Sequence, residues 1–486
     1  MLFNSYIFIF CFLPLTLLGF FLLSGYTSTM LARLWLTVTS LFFYHYAAGE
    51  WIWLLLASAT VNFLLAKIID SVSQSSRSLW LTMGILTNIG LLAYFKYSLS
   101  QFLPTSLLIN LGLAPSKFIL PLAISYFTFH QIAYLVDVRI ERVKPEKSLL
   151  NYVFFVSFFP HLIAGPIVYY RDIMPQLLKQ ETYQINIANL KSGLFLFALG
   201  LLKKTFLADT IGSWVDAGFS HSSQLSSMET LVLVYLFGLQ IYFDFSAYSD
   251  MAVGLARLFN INFPVNFNSP YKNTSIIQFW QQWNITLTNF ITSYVYIPLV
   301  RLKKSFSYSY SLFATFIAMT VIGIWHGSSW NYVLFGMVQG LALVINHLWR
   351  KTRIQINKHL SHLITLNFWL LAEVLFRSSN VSQALDIYRQ ILSWSHGWLL
   401  HKDNFVTDSS NFYWLLVPPT AKDIFTTALI MISLIAGYLI CLLCNNAVSI
   451  AGHKSTDQYF WIKLGAAMTL GVLMLSENSP FIYFQF

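Results

Sequence analysis

The sequence predicts an all-α polytopic membrane protein, a helical bundle with re-entrant or broken helices around a central buried histidine. Three observations predict it. Only 10% of the 486 residues are charged, where soluble domains carry about 25%. Hydrophobic residues reach 56% and gather in apolar runs of membrane-spanning length. One histidine stands inside such a run, in Gly323-Ile324-Trp325-His326-Gly327-Ser328-Ser329-Trp330. An ionisable group at that depth is costly and is by default a functional candidate. The alternative is a histidine that satisfies a neighbouring backbone carbonyl.

The net charge of +10 fits Lys- and Arg-rich cytoplasmic loops facing a lipid bilayer. No dense basic run interleaved with stacking aromatics supports nucleic acid as a partner. Aromatics at 17% suit interface belts and packed helices. Cys441-Leu442-Leu443-Cys444 has redox or zinc spacing. With no second pair or histidine cluster nearby, it reads as apolar filler, and no metal site is expected. The first charged side chain is Arg33, so the N-terminal run reads as an uncleaved first span.

Taken in order, spans are expected near 6–24, 34–46, 51–69, 79–97 and 118–136. Arg33, Lys67, Arg77 and the basic stretch Asp137 to Lys147 fall on one side, which places the N-terminus outside the cytoplasm and a loop at 101–116 outside as well. The run 152–163 ends in Ala164-Gly165-Pro166, which predicts a broken or re-entrant segment. An amphipathic surface stretch is expected at 169–186. The run 192–207 carries Lys203 and Lys204, which can snorkel to a headgroup boundary.

A long apolar run, 228–259, holds Asp244 and Asp250, and a polar loop, 260–275, follows it. Another amphipathic stretch, 276–299, ends at Arg301-Leu302-Lys303-Lys304. Apolar segments flank the His326 motif and lead to Arg350-Lys351-Thr352-Arg353, so both basic clusters face the cytoplasm. That puts His326 about 22 Å along its helix, past the midplane. Later spans are expected at 363–376, 426–443 and 461–475, with an external loop at 396–417. The whole, 1–486, reads as one membrane-embedded domain of roughly a dozen helices.

Polar residues mark three further places. Asp244, Ser246, Tyr248 and Asp250 share one apolar segment, with Asp244 and Tyr248 on one helical face. The pairs Trp280/Asn284 and Asn284/Thr288 are each spaced by one helical turn. Helix–helix hydrogen bonding is the alternative reading for both sets. In Phe158-Phe159-Pro160-His161 a helix break explains the residues, and His161, His130 and His347 read as structural. The candidate substrate contacts are Trp280, Trp283, Asp244, Tyr248 and Trp325.

At these residues the chain resembles the membrane-bound O-acyltransferase (MBOAT) family, in its bacterial branch of alginate and peptidoglycan O-acetylation and teichoic acid D-alanylation proteins. The matching stretches are 120–129, 158–166, 240–252, 266–271, 279–299, 323–330 and 480–486, nearly end to end. The resemblance implies that His326 is the catalytic histidine. The bacterial branch usually shows Trp-His followed by a Ser/Thr-rich run, often after two arginines. Here the residues are Gln281-Gln282-Trp283-Asn284, which resembles the wider family, where asparagine pairs with histidine.

Acyl transfer from a thioester to a hydroxyl needs a base and stabilisation of an oxyanion. Histidine suits the first task, because its ordinary pKa lies near neutral, and Asn284 suits the second. The resemblance implies acetyl-CoA, or a similar acyl-CoA, as a cytoplasmic donor and no permanently bound cofactor. The acceptor would be a hydroxyl of an envelope polysaccharide, such as O-antigen of lipopolysaccharide, peptidoglycan or an alginate-like polymer. Transfer would be direct or through a periplasmic acyl-relay protein, at the bacterial cytoplasmic (inner) membrane. A transporter, or a scaffold of a polysaccharide modification or export complex, shares the topology. A transporter predicts inverted repeats, which the sequence does not display, and a scaffold predicts tolerance of His326 substitution.

Overall fold

The computed structural model describes residues 1–97, 120–303, 305, 307–393, 400–405, 422–453, 459–475 and 481–482. Among them no strand occurs, and eight helical stretches are long and apolar enough to cross a membrane. The expected all-α polytopic architecture is observed. The loop expected at 101–116 lies outside the described residues, as does that at 396–417 apart from 400–405. Contacts divide the chain into two compact units. One comprises Met1–Leu199, Tyr248–Val265 and Ala451–Leu464; the other comprises Gly200–Ala247, Asn266–Ile450 and Gly465–Phe486.

In the first unit a π-helical turn, Phe8–Phe12, runs into α1 (Leu13–Tyr26). Then come α2 (Thr29–Ala48), α3 (Ile52–Ser71), α4 (Gln74–Lys96), α5 (Ile124–Arg139), α6 (Leu149–Ser157), α7 (Phe159–Leu162), α8 (Tyr170–Leu177) and most of α9 (Ile187–Leu202). Ser28 starts α2 by accepting from the Leu31 amide, and Gly49 ends it with φ +59, a conformation that costs glycine little.

A buried polar network joins α3, α4 and α5. The Asn62 amide donates to Asn88 Oδ1 at 3.2 Å, and the Asn88 amide returns a bond to Asn62 Oδ1 at 2.7 Å. Gln131 Oε1 accepts from Ser58 at 3.1 Å and from Asn62. Where lipid offers no partner, such bonds hold helices together.

The break expected after 152–163 is present. Phe158 leaves the helical region, and Pro160 sits in the first turn of α7, where its missing N–H costs nothing. A Cβ on Gly165 would lie 2.5 Å from His161 Cα, so only glycine fits. His130 and His161 are fully buried, edge to face at 4.7 Å, and His130 Nε2 accepts from the Val168 amide at 3.3 Å. The amphipathic stretch forms α8, burying Ile173, Met174 and Leu177.

The second unit opens with a π-helical turn, Lys203–Ala208, and α10 (Asp209–Ser220). The long α11 (Ser227–Leu258) gives this unit its residues up to Ala247. Short helices follow: α12 (Ile276–Trp280), α13 (Ile285–Ile291) and α14 (Ile297–Arg301). Then come α15 (Tyr308–His326), α16 (Trp330–Thr352), α17 (Lys358–Arg377), α18 (Val381–Leu392), α19 (Lys402–Phe405) and α20 (Lys422–Leu443). The chain continues through α21 (Ala447–His453) and α22 (Phe460–Leu473).

Two expectations are corrected here. Lys204 does not snorkel. It is buried, with Nζ 2.6 Å from Asp244 Oδ1 and 2.8 Å from Asp209 Oδ1, and Lys203 Nζ donates to Ser246 Oγ at 2.9 Å. Two carboxylates within reach make burial of an ammonium affordable. The helical spacing across Trp280 and Asn284 is also interrupted: α12 ends at Trp280, and a second helical run starts at Ile285, in which a π-helical turn at Thr292–Tyr296 joins α13 to α14.

The hairpin of α15 and α16 rests on close backbone approach. A Cβ on Gly323 would meet Tyr332 O at 2.3 Å, and one on Gly336 would meet Met319 O at 2.5 Å. Small residues at such crossings let membrane helices pack without a hydrophobic driving force between them. Replacing Gly336 by alanine should force the helices apart and cost about 1–3 kcal/mol, as overpacking does. Thermal unfolding of the purified variant in detergent checks this: a midpoint equal to wild type would show that the approach is not tight.

Candidate active site

His326 is the last residue of α15, because Gly327 turns the backbone to extended geometry. The helix has 19 residues, about 27 Å of rise, so His326 lies nearer the far end of its span than the sequence alone suggests. The residues after it are pinned. Asn331 donates to the carbonyls of Leu375 at 3.2 Å and Ser378 at 2.5 Å, which ties the start of α16 to the end of α17. The same attachment brings Phe376 against the histidine, edge to face at 4.9 Å. The Trp325 ring lies tilted at 4.7 Å from the imidazole, and His326 is 8% exposed.

Asn284 arrives by a break in the chain. It sits at φ 42, ψ 53, between α12 and α13. Asparagine enters this left-handed region more readily than most residues. Trp280 and Asn284 therefore do not lie on one continuous helix, whereas Thr288 N–H does bond Asn284 O at 3.0 Å.

The loop 266–268 holds the break in place. Asn266 O accepts from Ile285 N at 2.9 Å, and Asn266 Oδ1 accepts from Thr286 Oγ1 at 2.6 Å. Asn268 N donates to Gln282 O at 3.0 Å. Two stretches distant on the sequence, 266–271 and 279–299, thus form one built corner.

His326 and Asn284 line the same pocket, with Trp280 and Trp283 as two of its walls. Leu287, Phe335, Phe376, Ile241, Phe245 and Ile482 complete the apolar lining, and Glu373 adds a carboxyl. The volume is about 20 Å³, room for about one water. Trp280 Nε1 donates to Gln339 Oε1 at 3.1 Å, and Trp369 packs on Phe279 and Trp283 at 4.0 and 4.8 Å. The indoles are held from behind by an aromatic layer.

Of the expected site residues, four meet in the pocket: His326, Asn284, Trp280 and Trp283. Trp325 supports the His326 ring without lining the pocket. Asp244 stands one step back. Its Oδ1 is paired with Lys204, and its Oδ2 accepts the Ile482 amide at 2.8 Å, so it anchors a wall residue. Tyr248 packs on Phe3 at 4.8 Å in the first unit and is not among the lining residues. Glu373 is not singled out by the sequence, and Lys204 is read there only as a snorkelling residue. An acidic residue within an apolar run is the signal that could have found Glu373. Among the described residues, no group of three or more His, Cys, Asp or Glu could hold a metal ion.

Known proteins resemble this chain along most of its length. The sequence matches MBOAT, the membrane-bound O-acyltransferase family, over residues 8–381. It is 35% identical to the peptidoglycan O-acetyltransferase of Helicobacter pylori, across 100% of this chain and 98% of that protein. It is 32% identical to the probable alginate O-acetylase of Pseudomonas aeruginosa, across 81% of this chain and 75% of the relative. A teichoic acid D-alanyltransferase of Streptococcus thermophilus is 29% identical over 49% of this chain and 59% of its own. The eight apolar helical stretches and these bacterial relatives make the chain a multi-pass bacterial membrane protein. A family match across most of the chain, with a relative aligned end to end, decides the family: the chain belongs to the membrane-bound O-acyltransferases.

Proposed function

We propose that the protein moves an acetyl group from cytoplasmic acetyl-CoA to a hydroxyl of an envelope polysaccharide, with the peptidoglycan glycan strand as the favoured acceptor. The observation that carries this reading is the convergence of His326 and Asn284, from different elements, in one apolar pocket. The end-to-end alignment with a peptidoglycan O-acetyltransferase supports the acceptor. The small pocket supports a small acyl group.

The chemistry follows from the groups present. The imidazole of His326 takes the proton of the acceptor hydroxyl as its oxygen attacks the thioester carbonyl carbon. The Asn284 amide donates to the carbonyl oxygen as negative charge develops there. The tetrahedral intermediate collapses, the C–S bond breaks, and the thiolate takes the proton from the imidazolium. The indole and phenyl walls keep water from the thioester. Residues 301–303 and 350–353 carry the basic side chains suited to the phosphates of CoA. A serine of an acyl-relay protein would enter the same chemistry in place of the glycan hydroxyl.

Replacing His326 by alanine in the full-length, membrane-inserted protein should lower acetyl transfer by about 10²–10⁴-fold, the usual worth of a general base. Mass spectrometry of envelope glycans from cells with wild type, the variant or neither reads this as loss of acetyl-sized shifts. Full acetylation by the variant would end the assignment. For Asn284, alanine and glycine separate side chain from backbone, because glycine keeps the left-handed conformation without strain. Both should slow transfer at least about tenfold, consistent with loss of an oxyanion donor. A glycine variant with wild-type turnover would assign Asn284 to the turn alone.

A further inference from the structure

Three of the buried carboxyls among the described residues, Asp244, Asp137 and Glu229, have several partners each. Asp244 is paired with Lys204 and the Ile482 amide. Asp137 meets Arg171 and Arg142. Glu229 accepts from the amides of Ser226 and His401, each at 2.8 Å, and from Asn404 at 3.1 Å. Glu373 differs. It is 1% exposed on α17 and lines the His326 pocket, and its Oε2 has no hydrogen-bond partner among the described residues. A buried carboxyl left in this condition is destabilising, and such an exception calls for an explanation.

The pocket's chemistry supplies one. Trp280 N–H is already committed to Gln339. The polar side chains left facing the pocket are His326, Asn284 and Glu373. In the acyl-transfer reading, on which this step rests, His326 takes the proton and Asn284 donates to the carbonyl oxygen. At its reacting carbonyl the thioester offers only acceptors and apolar groups, its first N–H lying two methylenes beyond the sulfur. The donors come with the acceptor alcohol, which carries further O–H or amide N–H groups beside the reacting hydroxyl. A carboxyl oxygen accepts a hydrogen bond whether or not the group is ionised.

We infer that Glu373 contacts the acceptor substrate, receiving a hydrogen bond from a hydroxyl or amide N–H adjacent to the hydroxyl that is acylated. It selects a polyol or amino-sugar acceptor over a simple alcohol. A site built to bond a substrate donor rejects acceptors that lack one, because its own buried group is then left unpaired.

The test uses the full-length chain in lipid nanodiscs, labelled acetyl-CoA and purified peptidoglycan glycan strands. Glu373→Leu should lower kcat/KM for the strands by about 100-fold, the scale of a lost hydrogen bond to a charged or fully buried group. The KM for acetyl-CoA should stay at the wild-type value. Glu373→Gln keeps an accepting oxygen and should stay within about threefold of wild type. Glu373→Asp withdraws the carboxyl by one methylene with little risk to folding. It should raise the KM for the strands about tenfold, with the donor KM unchanged.

Wild-type kinetics for Glu373→Leu would overturn the assignment, as would a parallel loss toward donor and strands in both the Leu and Asp variants. A wild-type chain that does not acetylate the strands at all would instead overturn the acyl-transfer reading, and the assignment with it.

Discussion

A polar group inside an apolar helical bundle has no water to turn to, so it must find its partner within the protein. Much of this molecule is arranged by that constraint. Asn62, Asn88, Gln131 and Ser58 answer one another across three helices. Lys204 gathers Asp209 and Asp244, and the remaining oxygen of Asp244 holds the Ile482 amide. These networks are the background against which the pocket stands out. There, Asn284, Glu373 and His326 line one space walled by indole and phenyl rings. A buried carboxyl oxygen such as Glu373 Oε2 suits a substrate that carries a donor for it.

The second organising feature is backbone irregularity. A straight bundle would keep His326 on one helix and Trp283 and Asn284 on another. The chain converges them by ending α15 at Gly327 and by breaking the stretch after Trp280 with a left-handed Asn284. Each break is held by side chains that do no chemistry of their own. Asn331 fixes the loop after His326, and Asn266 caps the start of α13. Non-helical backbone at membrane depth is tolerated only where protein buries it, and both breaks are buried. Precision at the pocket therefore rests on residues outside it.

The fold class was legible in the sequence because apolar run length and charge depletion are properties of composition. His326 was legible because a histidine flanked by apolar runs departs from that composition. Asn284 was found by its motif, but its geometry was not. The pattern of 276–299 satisfies a helical period with no glycine or early proline, and asparagine at a left-handed φ leaves no mark on periodicity. Glu373 was overlooked for a related reason. Which way one carboxyl in an apolar helix points depends on the rotation of that helix against partners far along the chain. Lys204 misled because a double lysine at the edge of an apolar run has the composition of a snorkelling pair. Of its two carboxylates, Asp209 follows in the same segment, but Asp244 lies 40 residues away, beyond the reach of local pattern.

The central claim is that His326 and Asn284 together receive the reacting carbonyl. The most direct measurement is a cryo-EM structure of the full chain with a ketone analogue of acetyl-CoA, in which a methylene replaces the thioester sulfur. The account predicts that the ketone oxygen lies about 3 Å from the Asn284 amide, with the carbonyl carbon facing His326 across a gap that admits one hydroxyl. An analogue seated with its ketone outside this pocket, while the protein remains active, would contradict it.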